Sequence, residues 1–197
     1  QSSIGGIYTR RSTSADAAGM APIDQHTAGV DLDLKTRHFM GDKNLSLEAF
    51  VAWNTNPLDN GDPDRNDLSF SDLSSRGVRL DFPNTTWSGN LAYKEFGDDY
   101  DPAIGFVTRN NFRRIEQQTG WAPRLPGIDW IRGLDFSAQF QAQKTIDTGI
   151  LEEREWQFNV LGVNFESGDG FDFNATNTYE YLDDTFEVSD GIEVAPG

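Results

Sequence analysis

Along most of this chain, apolar residues recur at every second position. In residues 26–35, Ala28, Val30, Leu32 and Leu34 take one phase; Gly29, Asp31, Asp33 and Lys35 take the other. Successive side chains of a β-strand point to opposite faces, so this segment has one apolar and one polar side. The same alternation recurs in 131–145, where Leu134, Phe136, Ala138, Phe140 and Ala142 oppose Asp135, Ser137, Gln139, Gln141 and Gln143. No segment carries the 3.6-residue period of an amphipathic helix.

The pattern predicts about nine strands, near residues 3–10, 26–35, 45–53, 76–82, 86–96, 110–120, 131–145, 153–165 and 171–181, with 186–194 a possible tenth. Several exceed the usual five or six residues and reach the roughly 9–11 that cross a bilayer obliquely. Connections alternate at first: 11–25, 54–75 and 97–109 are long, whereas 36–44 is shorter and 83–85 very short. Long external loops alternating with short periplasmic turns mark outer-membrane barrels. The expected fold is therefore all-β: an antiparallel up-and-down transmembrane β-barrel, of which residues 1–197 are a single segment. A soluble β-sandwich also alternates its faces and is the alternative fold, but its strands are usually shorter.

In the barrel reading, Asp31, Asp33, Asp81, Asp135, Gln139, Gln141, Glu155 and Gln157 face the lumen. They offer acceptors to water, sugars or cations. Trp53, Trp87, Trp121, Trp130 and Tyr181 fall at strand ends, as membrane-interface girdles do.

Composition narrows the partners. The net charge is −16, from 16 Lys and Arg against 32 Asp and Glu. Such acidity repels nucleic acid and suits water, cations or cationic solutes. The chain has no cysteine, so disulfides and thiolate metal sites are excluded. No run of about 18 apolar residues exists to form a transmembrane helix, which does not exclude a barrel. Gln1 lies in or next to a strand-like segment and Ala195-Pro196-Gly197 reads as a turn. The chain therefore reads as a segment of a longer polypeptide, cut at both ends.

Among chemical motifs, 58–67 is the sharpest. Asp59, Asp62, Asp64, Asn66 and Asp67 offer hard oxygen ligands in a turn-forming stretch, the ligand type calcium prefers. The spacing is not that of an EF-hand. Gly97-Asp98-Asp99-Tyr100-Asp101 is a weaker version. If external, such loops also bridge through divalent ions to lipopolysaccharide. His26 and His38 are the only histidines and have no companion ligands for zinc. Arg109, Arg113, Arg114 and Arg124 are basic exceptions whose expected role is ion pairing. No nucleophile or P-loop motif is present. No catalytic residue is assigned; a hydrolase alternative would rest on carboxylates such as Asp135 or Glu155.

Short motifs spread along the chain carry a resemblance. They are Ser2-Ser3-Ile4-Gly5-Gly6-Ile7 with Thr9-Arg10-Arg11, Gly29-Val30-Asp31, and Tyr100-Asp101-Pro102-Ala103-Ile104-Gly105-Phe106-Val107 with Arg109. Phe112-Arg113-Arg114, Trp130-Ile131-Arg132 and the closing Tyr181-Leu182, Phe186-Glu187-Val188, Gly191-Ile192 and Pro196-Gly197 follow in order. With these the chain resembles a bacterial outer-membrane barrel domain of unknown function, found C-terminal to a module like the family-nine carbohydrate-binding domains. The resemblance implies an upstream binding module and further downstream strands, both outside this sequence. It places the chain in the bacterial outer membrane, in contact with lipid and lipopolysaccharide. Hydrolase or carbohydrate-binding labels attached to that family would concern the upstream module.

The expectation is a non-enzymatic, porin-like barrel segment. It would anchor or export an associated binding module, or pass or bind saccharide-like or cationic solutes. A soluble secreted β-sandwich binding carbohydrate, helped by calcium, is the competing expectation.

Overall fold

The computed structural model describes residues 2–12, 14, 24–55, 68–182, 186–189 and 192–194. The elements are β1 (Ser3–Ser12), β2 (Asp24–Phe39), β3 (Lys43–Asn54), β4 (Ser74–Phe82), β5 (Trp87–Phe96), β6 (Phe112–Trp121), β7 (Ile131–Thr145), β8 (Leu151–Phe165), β9 (Gly170–Glu180), β10 (Phe186–Ser189) and β11 (Ile192–Val194). Strands β1 to β9 form one antiparallel sheet in sequence order, and β10 and β11 pair separately. Every strand of the large sheet is 9 to 16 residues long. The sheet is not closed: β1 and β9 do not pair with each other. Among the described residues, no helix is long and apolar enough to cross a membrane, a test that does not address strands.

Each of the nine expected segments holds a strand, with shifted bounds. β2 continues to Phe39 and β3 starts at Lys43, so the expected 36–44 connection shrinks to a three-residue turn, 40–42. Met40 and Gly41 supply the positive φ angles, 50° and 101°, that so tight a reversal needs. A hydrogen bond from Lys43, 2.7 Å from Asp42, holds the Asp42 carboxyl below its usual range. The 186–194 segment proves to be the two short strands β10 and β11. The loop-length alternation fails late in the chain, where 122–130 outruns 146–150.

The chain divides into two compact units, Gln1–Asp81 with Ala92–Arg113, and Phe82–Leu91 with Arg114–Gly197. In the first, Val30 pairs with Val51, Leu32 with Ala49 and Leu34 with Leu47, while Leu47 and Ala49 pair with Leu80 and Val78. Directly paired residues share a face, so these side chains form one apolar face. In the second unit, Ala138 pairs with Phe158 and Phe140 with Trp156; Phe158 pairs in turn with Ala175.

β8 departs from strict alternation. Register shifts between Asn159 and Leu161 toward β9, and between Asp135 and Ser137 toward β7, leave Val160 as an extra residue. The sequence needs this bulge. Trp156 and Phe158 keep the apolar phase on even numbers, whereas Leu161 and Val163 hold it on odd ones. One additional residue restores both halves to the same face.

Candidate functional site

Each unit has a polar face opposite its apolar one. In the first, Asp33 pairs with Glu48 and Glu48 with Arg79, while Lys35 pairs with Ser46 and Ser46 with Asp81. Lys35 Nζ lies 2.5 Å from Asp33 Oδ2, and Arg79 forks onto Asp81 at 2.8 and 3.0 Å. Asp31 shares this face, paired with Gly5 and Phe50. The result is a polar ladder of mixed charge. In the second unit, Gln139 pairs with Gln157 and Gln141 with Glu155, continuing to Thr176 and Thr178 of β9. The alternation read from sequence thus brings the eight candidate polar residues onto the polar faces, three in one unit and five in the other.

Asp135 is tied down by its neighbours. Asn159 and Asn164 donate to its two carboxylate oxygens at 2.8 and 3.2 Å. The carboxylate lies across Gly162, where any Cβ would collide with it. Asp135 opposes Gly162 while Gln141 opposes Glu155, so Asp135 and Glu155 are six residues apart along β7. That is about 20 Å, beyond the roughly 5–10 Å of a glycosidase pair. Arg114 bonds Gln143 at 2.9 Å and Glu153 at 3.2 Å, the ion pairing expected of it.

The apolar faces are not covered. Trp87 is 54 % exposed and Phe173 57 % exposed, and Val30, Leu34, Val78, Leu80, Leu91, Phe158 and Phe171 are also exposed. Among the described residues the buried apolar side chains are Tyr100, Ala103 and Phe112 alone. A soluble sheet of this size would bury its apolar face against a second layer.

Aromatic rings gather near strand ends. Trp87 stacks on Trp121 at 5.4 Å, Trp121 on Phe136 at 5.1 Å, and Trp130 on Phe165 at 5.8 Å. Trp53 meets Phe70 at 6.1 Å in the first unit. Tyr181 follows β9 directly and its N–H bonds the Glu152 carbonyl at 2.7 Å.

Two of the buried apolar residues, Tyr100 and Ala103, belong to the β5–β6 loop, 97–111, and Phe112 opens β6 directly after it; the sequence suggests this stretch as a long connection at 97–109, a weak acidic motif and part of the resemblance. This loop lies across the ends of β2, β3 and β4 on the polar side of its unit. Gly97 N–H bonds the Ser74 carbonyl at 2.9 Å, and Asp99 N–H bonds the Asp72 carbonyl at 3.0 Å. Asp101 N–H bonds Asn54 Oδ1 at 3.0 Å, and Ala103 N–H bonds Thr27 Oγ1 at 2.7 Å. Gln25, fully buried, donates to the Asp101 carbonyl and, at 3.1 Å, to its carboxylate. From Gly97 to Ala103 the chain therefore steps from β4 to β3 to β2, with an anchor at every second residue. Asn110 closes the base by donating to the carbonyls of Asp98 and Tyr100 at 3.0 and 2.9 Å. Beneath it Phe96 stacks on Phe112 at 5.0 Å and meets Tyr100 edge-on at 6.0 Å.

Gln25, Thr27 and Asn54 were not singled out from sequence. They look like any other polar-phase strand residues, and only the loop gives them a distinct role. No family model, curated protein or solved structure matches the chain. The proposed calcium ligands Asp59, Asp62, Asp64, Asn66 and Asp67 lie outside the described residues. Among the described residues, no group of three or more His, Asp or Glu side chains is placed to hold a metal ion. In 97–101 the N–H groups of Gly97, Asp99 and Asp101 bond neighbouring chain, and the Asp101 carboxylate accepts from Gln25 and lies 3.7 Å from Arg11.

Proposed function

We propose that this chain supplies nine strands of a bacterial outer-membrane β-barrel, with its apolar faces toward lipid and its polar faces toward an aqueous interior that passes or binds hydrophilic solutes. The carrying observation is the exposure of large apolar side chains along strands long enough to cross a bilayer, with no buried apolar layer beneath them among the described residues. The rows of amides and paired charges on the opposite faces suit a wet interior. The resemblance to the barrel domain that follows a carbohydrate-binding-like module agrees with this and adds a second task, anchoring that module at the cell surface. Unpaired strand edges are costly in lipid. The proposal therefore requires further strands, from the same polypeptide or a second copy, to pair with β1 and β9.

The test is fractionation of the protein from its native host, with gel mobility compared before and after boiling. Recovery in the outer membrane with a heat-dependent shift is the expected result. Recovery as a soluble monomer without a shift would overturn the membrane reading and favour a secreted carbohydrate-binding domain.

A further inference from the structure

We infer that the β5–β6 loop is the constriction of the solute path: a strap fixed across the polar face, whose tip Ile104-Gly105-Phe106 sets what can pass. The inference rests on the barrel reading and adds to it the element that determines specificity.

Three observations carry it. The first is direction. A loop of fifteen residues, 97–111, has ample length to project into solvent, yet it crosses three strands on the polar side. Spanning from β4 to β2 needs about 10 Å at ordinary strand spacing, well within the reach of the seven residues from Gly97 to Ala103. Pro102 holds Asp101 in an extended conformation suited to such a crossing.

The second is anchoring. Backbone groups of the strap are satisfied by Thr27 and Asn54, and Gln25 donates into it. These polar side chains are nearly inaccessible. Detaching the strap would leave them to be resolvated and would break the Phe96–Tyr100–Phe112 cluster. Gly97 begins the strap packed on the carbonyls of Ser71 and Asp72, where no side chain fits. Mobile loops have few buried contacts; this one buries Tyr100 and Ala103, two of the three buried apolar side chains of the described residues, and the third, Phe112, follows it at the start of β6.

The third is the contrast between base and tip. Ala103 is 1 % exposed, but Ile104 is 67 % and Phe106 82 % exposed. Gly105, at φ +94°, turns the chain between them. In the barrel reading, an apolar tip carried on this fixed base restricts the opening without offering charges that would trap a solute. Saccharide-like solutes, which meet apolar rings through their C–H faces and the polar rows through hydroxyls, fit such a path.

The experiment uses the protein extracted from outer membranes and reconstituted into lipid. Residues 1–197 hold no cysteine, so each introduced thiol is the single one in this segment. With Ala103→Cys and Phe106→Cys variants, the thiol at position 103 should react with a bulky polar maleimide about tenfold more slowly than that at position 106, since it must wait for local opening. Equal rates would overturn the fixed strap. Single-channel conductance is then compared between the unaltered protein and one in which 102–108 is replaced by a short Gly-Ser link. A rise of about twofold or more, or conductance where there was none, is expected for a removed constriction. Thr27→Val, which keeps the shape and deletes the acceptor, should raise current fluctuations if the replaced loop fails to fold. A heat-shifted, membrane-inserted protein whose conductance none of these changes alter would overturn the constriction and leave the barrel standing. A protein that neither inserts nor shifts on heating would overturn the barrel reading itself.

Discussion

Ala138 and Gln139 are neighbours at the middle of β7, and their side chains meet opposite surroundings. Ala138 shares a face with Phe158, Gln139 with Gln157. If the apolar face meets lipid, Ala138 lies near the midplane of the bilayer. Ala138→Arg should then cost about 2–4 kcal/mol, whereas Gln139→Arg, one residue away, should stay within about 0.5 kcal/mol. Urea titration of the protein folded into lipid vesicles measures both. Equal losses would reject the assignment of faces. The residue scale also separates structural carboxylates from chemical ones. Asp135 spends both oxygens on Asn159 and Asn164, and the other acids of the polar rows largely meet Lys, Arg or Gln partners. Hydrogen-bonded acids of this kind organise a sheet more than they attack a substrate.

Among the elements, β8 shows what a bulge accomplishes. Its two halves carry apolar residues in opposite phase, and Val160 reconciles them. Deleting Val160 should therefore be tolerated: Leu161 would take its place opposite Phe136, and both halves would keep their faces in a regular ladder. Deleting Ala138, in the uninterrupted alternation of β7, should abolish folding, because half of that strand must then turn its apolar side to the polar face. Heat-dependent gel mobility reads both variants; a shift lost in the Val160 deletion would mean that the bulge is needed for more than phase. The phase change was present in the sequence, but alternation alone did not say which residue would be left out of the ladder. The β5–β6 loop was less legible. Its motif stood out by resemblance, yet nothing local distinguished an external loop from one folded inward.

For the whole molecule, the balance of surfaces decides the environment. A sheet of nine long strands with exposed apolar faces and a net charge of −16 is amphiphilic on the scale of a bilayer. Most of its tryptophans lie near strand ends. In vesicles containing brominated lipids, tryptophan emission should be quenched more by bromine near the headgroups than by bromine at the bilayer centre. Quenching by neither would place the rings away from lipid and argue against the membrane reading.

The sequence by itself determined the strands and their two faces, because alternation is local: each side chain's direction follows from its position along its own strand. It also excluded disulfides and thiolate metal sites. The tertiary structure decided the register, the place of the bulge and the course of the β5–β6 loop over the polar side of its unit. Those depend on partners far apart in the chain, such as Thr27 and Ala103 or Gln25 and Asp101, each pair separated by 76 residues. Such pairs are neighbours because β2, β3 and β4 lie side by side, and no local pattern of apolar and polar residues encodes which buried amide or hydroxyl a distant loop will find.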